Sequence, residues 1–342
     1  MPIFRFGGPF SEQRRSKKRE LRHKRQELRK IRDKERATKE KAERREYRKR
    51  KKRIDQEIFQ LERELRALEE GRAEDEPLTG ALPDFAIIGT MKGGTTFLYH
   101  LLSLHPLVEP AAAKEPHFFD VDSIFDEGVE WYRRCFPTPR LKDGRMTITG
   151  EGTPAYLFYP YVPERVAKAI PRARLIALLR NPVDRAYSQY QQVVVKGQEI
   201  RTFEEVIGFD DATIEAKRKQ ALGEQGETSA LEEEYVGLDD LRRGYLSRGV
   251  YVDQLVRWSK FISEEQLLVL KSEDFFESPQ ETLKVVLDFL GLPAWEPETW
   301  EVRSKRGRYE REMNPSTRRR LEEYFEPHNK RLYDFLGKDL GW

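Results

Sequence analysis

A short apolar run, FAIIG at residues 85–89, leads directly into a glycine-rich stretch and then into a helical pattern. Five successive residues without a polar side chain suit a strand buried on both faces, which is typical of a parallel sheet. The next stretch, residues 89–96, reads GTMKGGTT, and apolar residues then recur at helical spacing at Phe97, Leu98, Leu101 and Leu102. This order of strand, loop and helix predicts an α/β fold.

Two further apolar runs, at Arg174 to Arg180 and Gln266 to Ser272, predict additional strands. Helical patterns lie between and after the strands, at Thr95 to Ser103, Val162 to Ile170, Val183 to Val195, Leu246 to Phe261 and Pro279 to Leu290. Alternating strands and helices predict an open, mainly parallel sheet flanked by helices, as in P-loop nucleotide-binding proteins. Ligands of such sheets bind beyond the carboxyl ends of the strands.

The loop after the first strand carries the residues of a phosphate site. Gly93 and Gly94 allow backbone N–H groups to approach an anion at the positive end of the following helix. Lys92 adds a charge, and Thr95 and Thr96 add hydroxyl groups. In the nucleoside-triphosphate pattern G-x-x-x-x-G-K-[ST] the lysine follows the last glycine, whereas here it precedes both. A structural turn and a kinase loop are the alternatives at this point.

Charge is distributed unevenly along the chain. Residues 1–53 hold 24 Lys and Arg against 8 Asp and Glu, a surplus of 16 positive charges, and the remainder has a surplus of 13 negative charges. From Ser11 to Gly71 there is no proline and good helix formers dominate, which predicts a long basic helix. Its end carries a short heptad seam at Ile54, Ile58, Leu61, Leu65 and Leu68.

These patterns divide the chain into a basic helical arm with a coiled-coil seam (residues 1–75), a linker (76–83) and a globular domain (84–342). The seam predicts a homodimer through the N-terminal helix. The charge of the arm predicts contact with a polyanion or an anionic membrane surface as a further role. Within the domain, the charged segment Asp210 to Asp240 predicts a helical insertion or lid.

The single cysteine, Cys135, excludes an intrachain disulfide and a cysteine-based zinc site, and no metal-ligand cluster is evident. No run of about 18 apolar residues is present to span a bilayer, and the opening MPIFRFGGPF is too short for a signal-peptide core. We therefore expect a cytoplasmic protein that needs no metal, with peripheral membrane attachment as an alternative.

Two separated motifs resemble those of sulfotransferases that use 3′-phosphoadenosine-5′-phosphosulfate (PAPS). Lys92 to Thr96 is similar to the family's 5′-phosphosulfate loop, and RNPVDRAYSQY at residues 180–190 is similar to its 3′-phosphate motif. The resemblance implies that Arg180 and Ser188 bind the 3′-phosphate. Pro182 starts a helix, which places Arg180 at the edge of the sheet and Ser188 about two turns along.

The similarity covers roughly Asp84 to Trp342 and is closest to the branch that contains heparan sulfate sulfotransferases. KEPHFF at residues 114–119 resembles the segment that carries the general base, which implies Glu115 as the base and His117 as an orienting group. Lys92 would stabilise the leaving group. A loop that closes over the nucleotide in this branch has its counterpart at Lys305, Arg306, Gly307 and Arg308.

The family implies sulfuryl transfer from PAPS to a hydroxyl or an amine, with a saccharide as the expected acceptor and no metal. Related 3-O-sulfotransferases carry a lysine at the position of Gly152, so we expect different acceptor contacts here. The lack of paired cysteines and of a membrane anchor is typical of a bacterial, soluble member. A P-loop kinase and a polyanion-binding scaffold driven by the arm are the alternatives. Tyr245, Tyr251 and Trp258 either stack on a sugar or belong to the core.

Overall fold

The protein is described from a computed structural model. The described residues are 9–37, seven positions between 43 and 61, 80–208 except 113 and 198, 244–300, and 312–342. The predicted insertion at 210–240 and the predicted loop at Lys305 to Arg308 lie outside these residues, as does the first half of the linker. The boundary between arm and domain therefore stays a prediction.

Five parallel strands form the central sheet, in the spatial order β2-β5-β1-β6-β7. A separate two-stranded antiparallel hairpin consists of β3 and β4. The strands are β1 (Phe85–Gly89), β2 (Val108–Pro110), β3 (Leu141–Lys142), β4 (Arg145–Met146), β5 (Ile148–Gly152), β6 (Arg174–Leu179) and β7 (Leu267–Lys271). The predicted mainly parallel α/β fold is confirmed, and the carboxyl ends of β1, β5 and β6 lie side by side.

Helices of the globular domain cover both faces of the sheet, and one further helix belongs to the N-terminal arm. The arm helix is α1 (Pro9–Ala37), and those of the domain are α2 (Thr95–Leu104), α3 (Asp122–Phe125), α4 (Val129–Arg133), α5 (Val162–Ala169), α6 (Pro182–Val195), α7 (Phe203–Ile207), α8 (Tyr251–Trp258), α9 (Ser272–Glu277), α10 (Pro279–Leu290) and α11 (Pro315–Leu336). The five helices predicted in the domain all occur, although α8 is shorter than its predicted range.

Alternate residues of β1 belong to two different cores. Ala86 and Ile88 pack into a core that includes α8 and α11, whereas Phe85 and Ile87 pack into one that includes α2 and α10. All five residues of β1 are buried. The continuous apolar run therefore reflects burial on both faces of a central strand. The core that contains Ala86 and Ile88 also contains Tyr245, Tyr251 and Trp258, so these aromatic residues are structural.

The sequence analysis did not predict β2 and β5. The run ITGEG of β5 contains two glycines and a glutamate, a composition typical of a loop. Four of its five residues are nevertheless buried, because β5 is inserted between β1 and β2. Its position decides its conformation more than its composition does.

The N-terminal arm folds back on itself. The helix α1 confirms a long basic N-terminal helix, but Lys24 forms an ion pair with Glu57, with 2.5 Å between Nζ and Oε2, and Arg50 reaches Glu27 at 3.0 Å. In one continuous helix residues 24 and 57 would be about 50 Å apart. The prediction of a single helix from Ser11 to Gly71 is therefore wrong.

The seam of the arm is used within the chain. Ile54 and Leu61 are buried, and Ile54 packs with Leu28 and Ile31 of α1. An apolar stripe gains the same burial from a helix of its own chain as from a partner chain, without the entropy cost of association. Homodimer formation through this arm stays a prediction. In the part of the chain that is described, no helix is both long enough and apolar enough to cross a bilayer.

Candidate active site

The loop between β1 and α2 is held by backbone hydrogen bonds to the neighbouring strand and within the loop itself. The N–H of Thr90 donates to the Leu178 carbonyl at 2.9 Å, and the N–H of Gly93 donates to the Thr90 carbonyl at 2.9 Å. A Cβ atom at Gly93 would lie 2.5 Å from the Leu178 carbonyl oxygen, so only glycine fits there. Gly94 has a φ of 95° and is the N-cap residue of α2. The loop thus presents the first amides of a helix beside a close-packed strand end.

Residues far apart in sequence meet at this loop. The Arg180 side chain donates from Nη1 to the Lys92 carbonyl at 3.1 Å, which joins the end of β6 to the loop after β1. The hydroxyl of Tyr251 donates to the Arg180 carbonyl at 2.7 Å, and that of Ser272 donates to the Gly93 carbonyl at 2.8 Å. The two stretches converge as the sequence predicts, whereas the support from Ser272 carries no sequence signal that we recognise.

Positive charge is concentrated beside the loop. Burial lowers the pKa of Lys92, and the nearby charges of Arg180 and Lys196 lower it further. Both of these neighbouring charges are positive. Bringing cations together costs free energy, and a bound anion would relieve that cost. Lys196 comes directly after α6 and was not predicted as a site residue.

The helix α6 starts immediately beyond Arg180. The Asn181 side chain caps it by accepting from the N–H groups of Val183 and Asp184. Ser188, predicted to bind the 3′-phosphate, lies two turns along this helix and is buried. Arg185 is also buried and donates to the Gln189 side chain at 2.6 Å, and burial lowers its pKa to about 10. Arg185 is thus part of the core.

A second loop carries Glu115 and His117 next to the first. The Lys114 ammonium donates to the Thr96 hydroxyl at 2.6 Å and to the Glu115 carboxylate at 2.7 Å. It therefore bridges the start of α2 and the predicted base. Glu115 and His117 have φ values of 61° and 54°, in the left-handed region that non-glycine residues rarely adopt.

The His117 imidazole lies between two carboxylates. Its Nδ1 is 2.9 Å from Asp120 Oδ2, and its Nε2 is 3.9 Å from Glu115 Oε2. Burial lowers the pKa of His117, but the hydrogen bond and charge of Asp120 and the charges of Glu115 and Glu151 outweigh this and raise it overall. Asp120 was missed by the sequence analysis, although its spacing of three residues from His117 was a usable signal.

The loop after β1, the cations around it and the carboxylate–imidazole pair define a class of protein: an α/β protein of the P-loop type with a cluster of cations beside a carboxylate–imidazole pair. A family model described as a sulfotransferase domain matches residues 82–308. The chain belongs to the sulfotransferase family.

Among the described residues there is no group of three or more His, Cys, Asp and Glu side chains that could hold a metal.

Curated relatives are similar to most of this chain. The heparan sulfate glucosamine 3-O-sulfotransferase 3B1 of Homo sapiens is 31% identical over 283 residues, which cover 76% of this chain and 65% of the relative. The 3-O-sulfotransferase 5 of Homo sapiens is 29% identical over 291 residues, which cover 78% of this chain and 75% of the relative. This chain thus spans just under two thirds of the length of the first of these relatives.

A solved structure shares the fold. The crystal structure of a sulfotransferase from Alicyclobacillus acidocaldarius has a TM-score of 0.58 and 28% sequence identity to this chain. The match covers 76% of this chain and 98% of the other. Almost all of the Alicyclobacillus acidocaldarius chain therefore lies within the matched region.

Proposed function

We propose that this protein is an enzyme that transfers a sulfuryl group from PAPS to a hydroxyl or amine of a carbohydrate. One observation carries the proposal: the Arg180 side chain is bonded to the Lys92 carbonyl, so two predicted phosphate-binding stretches meet at one place. Membership of the sulfotransferase family supports the reaction class. The saccharide acceptor is proposed because the relatives named above act on heparan sulfate glucosamine according to their names.

The residues of the site fit a nucleotide with two phosphate-bearing ends. The amides at the start of α2 and the cations around Lys92 favour an anion. We assign Lys92, Gly93, Gly94, Thr95 and Thr96 to the 5′-phosphosulfate. Arg180 and Ser188 are assigned to the 3′-phosphate, and Lys305, Arg306, Gly307 and Arg308 to a loop that covers the nucleotide.

When bound, PAPS supplies the sulfuryl group and an adenosine bisphosphate leaving group. The Glu115 carboxylate accepts the proton of the attacking hydroxyl or amine, which makes the attacking atom a better nucleophile. The Lys92 ammonium and the amides at the start of α2 stabilise the negative charge that develops on the leaving phosphate. The His117 imidazole, held by Asp120, orients Glu115 or the acceptor. No step in this scheme draws on a metal ion.

A binding titration tests the donor. We expect adenosine 3′,5′-bisphosphate to bind more tightly than ATP with magnesium, because Arg180 and Ser188 recognise the 3′-phosphate. A second measurement tests the reaction: isotopically labelled PAPS is incubated with the enzyme and carbohydrate acceptors, and labelled products are identified by mass spectrometry. Tight binding of ATP that is indifferent to a 3′-phosphate would favour the kinase alternative.

The basic arm is proposed to have an accessory role, either in polyanion or anionic membrane contact or in dimerisation. Deletion of residues 1–75 distinguishes an accessory arm from a scaffold that depends on it. We expect transfer to persist in the deletion variant, whereas a scaffold would lose its main activity. A cytoplasmic location is proposed together with this role.

A further inference from the structure

A glutamate that the proposed chemistry does not use lies buried beneath the second loop. Glu151, near the end of β5, is fully buried. Its Oε1 accepts hydrogen bonds from the Tyr132 hydroxyl and, at 3.1 Å, from the Tyr156 hydroxyl, and its Oε2 accepts one from Thr153 at 2.5 Å. The hydrogen-bonding capacity of a buried carboxylate with three donors is satisfied, so the free energy that its burial costs comes from desolvation of its charge.

Tyr156 connects Glu151 to the loop that carries the predicted base. The Tyr156 oxygen accepts hydrogen bonds from the Phe118 N–H at 3.1 Å and from the Phe119 N–H at 3.5 Å. The Tyr132 ring stacks on Phe118, with 4.5 Å between centroids and 10° between the planes. The backbone directly after His117 is therefore held by Tyr132 and Tyr156, which both donate to Glu151.

The loop needs such support because its backbone is strained. Glu115 and His117 both adopt positive φ values, which cost free energy for residues with a side chain. Strained residues keep such conformations only where the surroundings over-determine them. Without the bonds to Phe118 and Phe119, these two residues would relax to ordinary φ values and the carboxylate and imidazole would move.

We infer that Glu151 is a positioning residue for the transfer reaction. It holds the loop of Glu115 and His117 in place through Tyr156. The Glu151 carboxylate directs the Tyr156 proton toward itself, so the lone pairs of the Tyr156 oxygen face the Phe118 and Phe119 amides. Glu115 and His117 are thereby kept beside the nucleotide loop. This inference rests on the proposed function, in which Glu115 is the base.

The protonation state of Glu151 is coupled to this arrangement. Burial raises its pKa to about 7, against the hydrogen bonds from Thr153, Tyr132 and Tyr156, and the charge of Asp120 raises it further. The ionisable groups around it are Tyr132 from α4, Cys135 just after α4, Tyr156 after β5, and His117 and Asp120 from the loop. A proton on the Glu151 carboxyl group would have to be donated to one of the hydroxyls that now donate to it. Where that hydroxyl is the one of Tyr156, its oxygen has one lone pair fewer for the Phe118 amide, so turnover should fall below pH 7.

Three variants of the full chain test the inference. Tyr156→Phe removes the link to the loop, and Glu151→Gln keeps the shape of the side chain and an acceptor oxygen but cannot ionise. Glu109→Gln is the matched control, because Glu109 is a buried glutamate on the neighbouring strand β2 that pairs with Arg140 at 2.6 Å. The readouts are kcat, KM, the Kd of adenosine 3′,5′-bisphosphate, and backbone hydrogen exchange of residues 114–120.

For Tyr156→Phe we expect kcat to fall by about 10- to 100-fold, since a displacement of about 1 Å has that effect. Its KM and nucleotide Kd should change less than about twofold, and exchange at 114–120 should accelerate by about tenfold or more, while residues 90–98 are unaffected. Glu151→Gln should lose the fall in kcat below pH 7. Glu109→Gln should match the wild type in all four readouts.

Unchanged exchange at 114–120 in both variants would overturn the inference, as would an equal loss of kcat in Glu109→Gln. Glu151→Gln is the more conservative change and decides the matter if Tyr156→Phe does not fold. Hydrogen exchange needs no turnover. If the wild type transferred no sulfuryl group, the proposed function would fail, and the exchange data would still show whether Glu151 holds the loop.

Discussion

The two loops of the site reach their conformations by different means. The loop after β1 is shaped by glycines and backbone hydrogen bonds, and its residues are contiguous in the sequence. The loop of Glu115 and His117 is shaped by side chains that come from α4, β5 and the segment after β5. The conformation of the first loop thus depends mainly on its own glycines, although Arg180 and Ser272 bond to its backbone, whereas the second loop depends on side chains packed against it from distant parts of the chain.

This difference separates binding from turnover. The first loop and Arg180 bring cations together and are assigned to the nucleotide under the proposed function, so changes there should act on nucleotide affinity. The second loop presents a carboxylate and an imidazole, so changes there should act on the chemical step. Each of the following experiments asks whether the two regions are as independent as their construction indicates.

Glu115→Gln gives the largest expected effect. We expect kcat to fall by about 10²- to 10⁴-fold, because a positioned base contributes a factor of that size. The Kd of adenosine 3′,5′-bisphosphate, measured by calorimetry, should not change. Glu164→Gln on α5 is the control, since that exposed carboxylate pairs only with its helix neighbour Lys168 in the contacts described here. Turnover close to the wild type would show that Glu115 is not the base.

Arg180→Ala should act on the other region. We expect the affinity for adenosine 3′,5′-bisphosphate to fall by about 10- to 100-fold, because a hydrogen bond to a charged group contributes about 1.5–3 kcal/mol. Affinity for adenosine 5′-monophosphate should fall much less, and Arg172→Ala, at an exposed position before β6, should alter neither. An equal loss for both ligands would contradict the assignment of Arg180 to the 3′-phosphate.

Glu151→Gln should change how stability depends on pH. The pKa of Glu151 is raised to about 7 in the folded protein, so the protonated form is favoured by folding. The stability it contributes is present below its unfolded pKa and is lost as the pH rises to about 7, by up to about 3 kcal/mol. Urea unfolding at several pH values should show this fall in the wild type and a smaller one in the variant. A constant difference between the two curves would contradict the raised pKa.

Lys114→Met gives the smallest expected effect and tests the bridge that Lys114 forms between the loops. Ion pairs that are partly exposed contribute about 0.2–1 kcal/mol, so kcat and nucleotide Kd should each change by less than about fivefold. Lys168→Met, which breaks an exposed pair with Glu164, is the control. A larger loss of kcat would mean that Lys114 contacts the reacting groups, and the two regions would then not be separable.

Local sequence predicted the elements whose chemistry is contiguous. The apolar runs of β1 and β6 are buried on both faces, and the loop at Lys92 has the close approach that only glycine allows at Gly93. The strand β5 could not be predicted in this way, since ITGEG has neither an apolar run nor alternation. The seam at Ile54 and Leu61 indicated a helix partner but not that the partner is α1.

The sequence by itself predicted the α/β class and the glycine loop after β1, because both depend on residues that are neighbours along the chain, and the resemblance of two motifs added the convergence of that loop with Arg180. Only the tertiary structure decided the return of the arm, the burial of Glu151 and the support of Glu115 and His117 by Tyr132 and Tyr156. The physical reason is that a hydrogen bond between distant residues leaves no local pattern. The hydrogen bonds to Glu151 form only when the sheet has brought β5 beside β1.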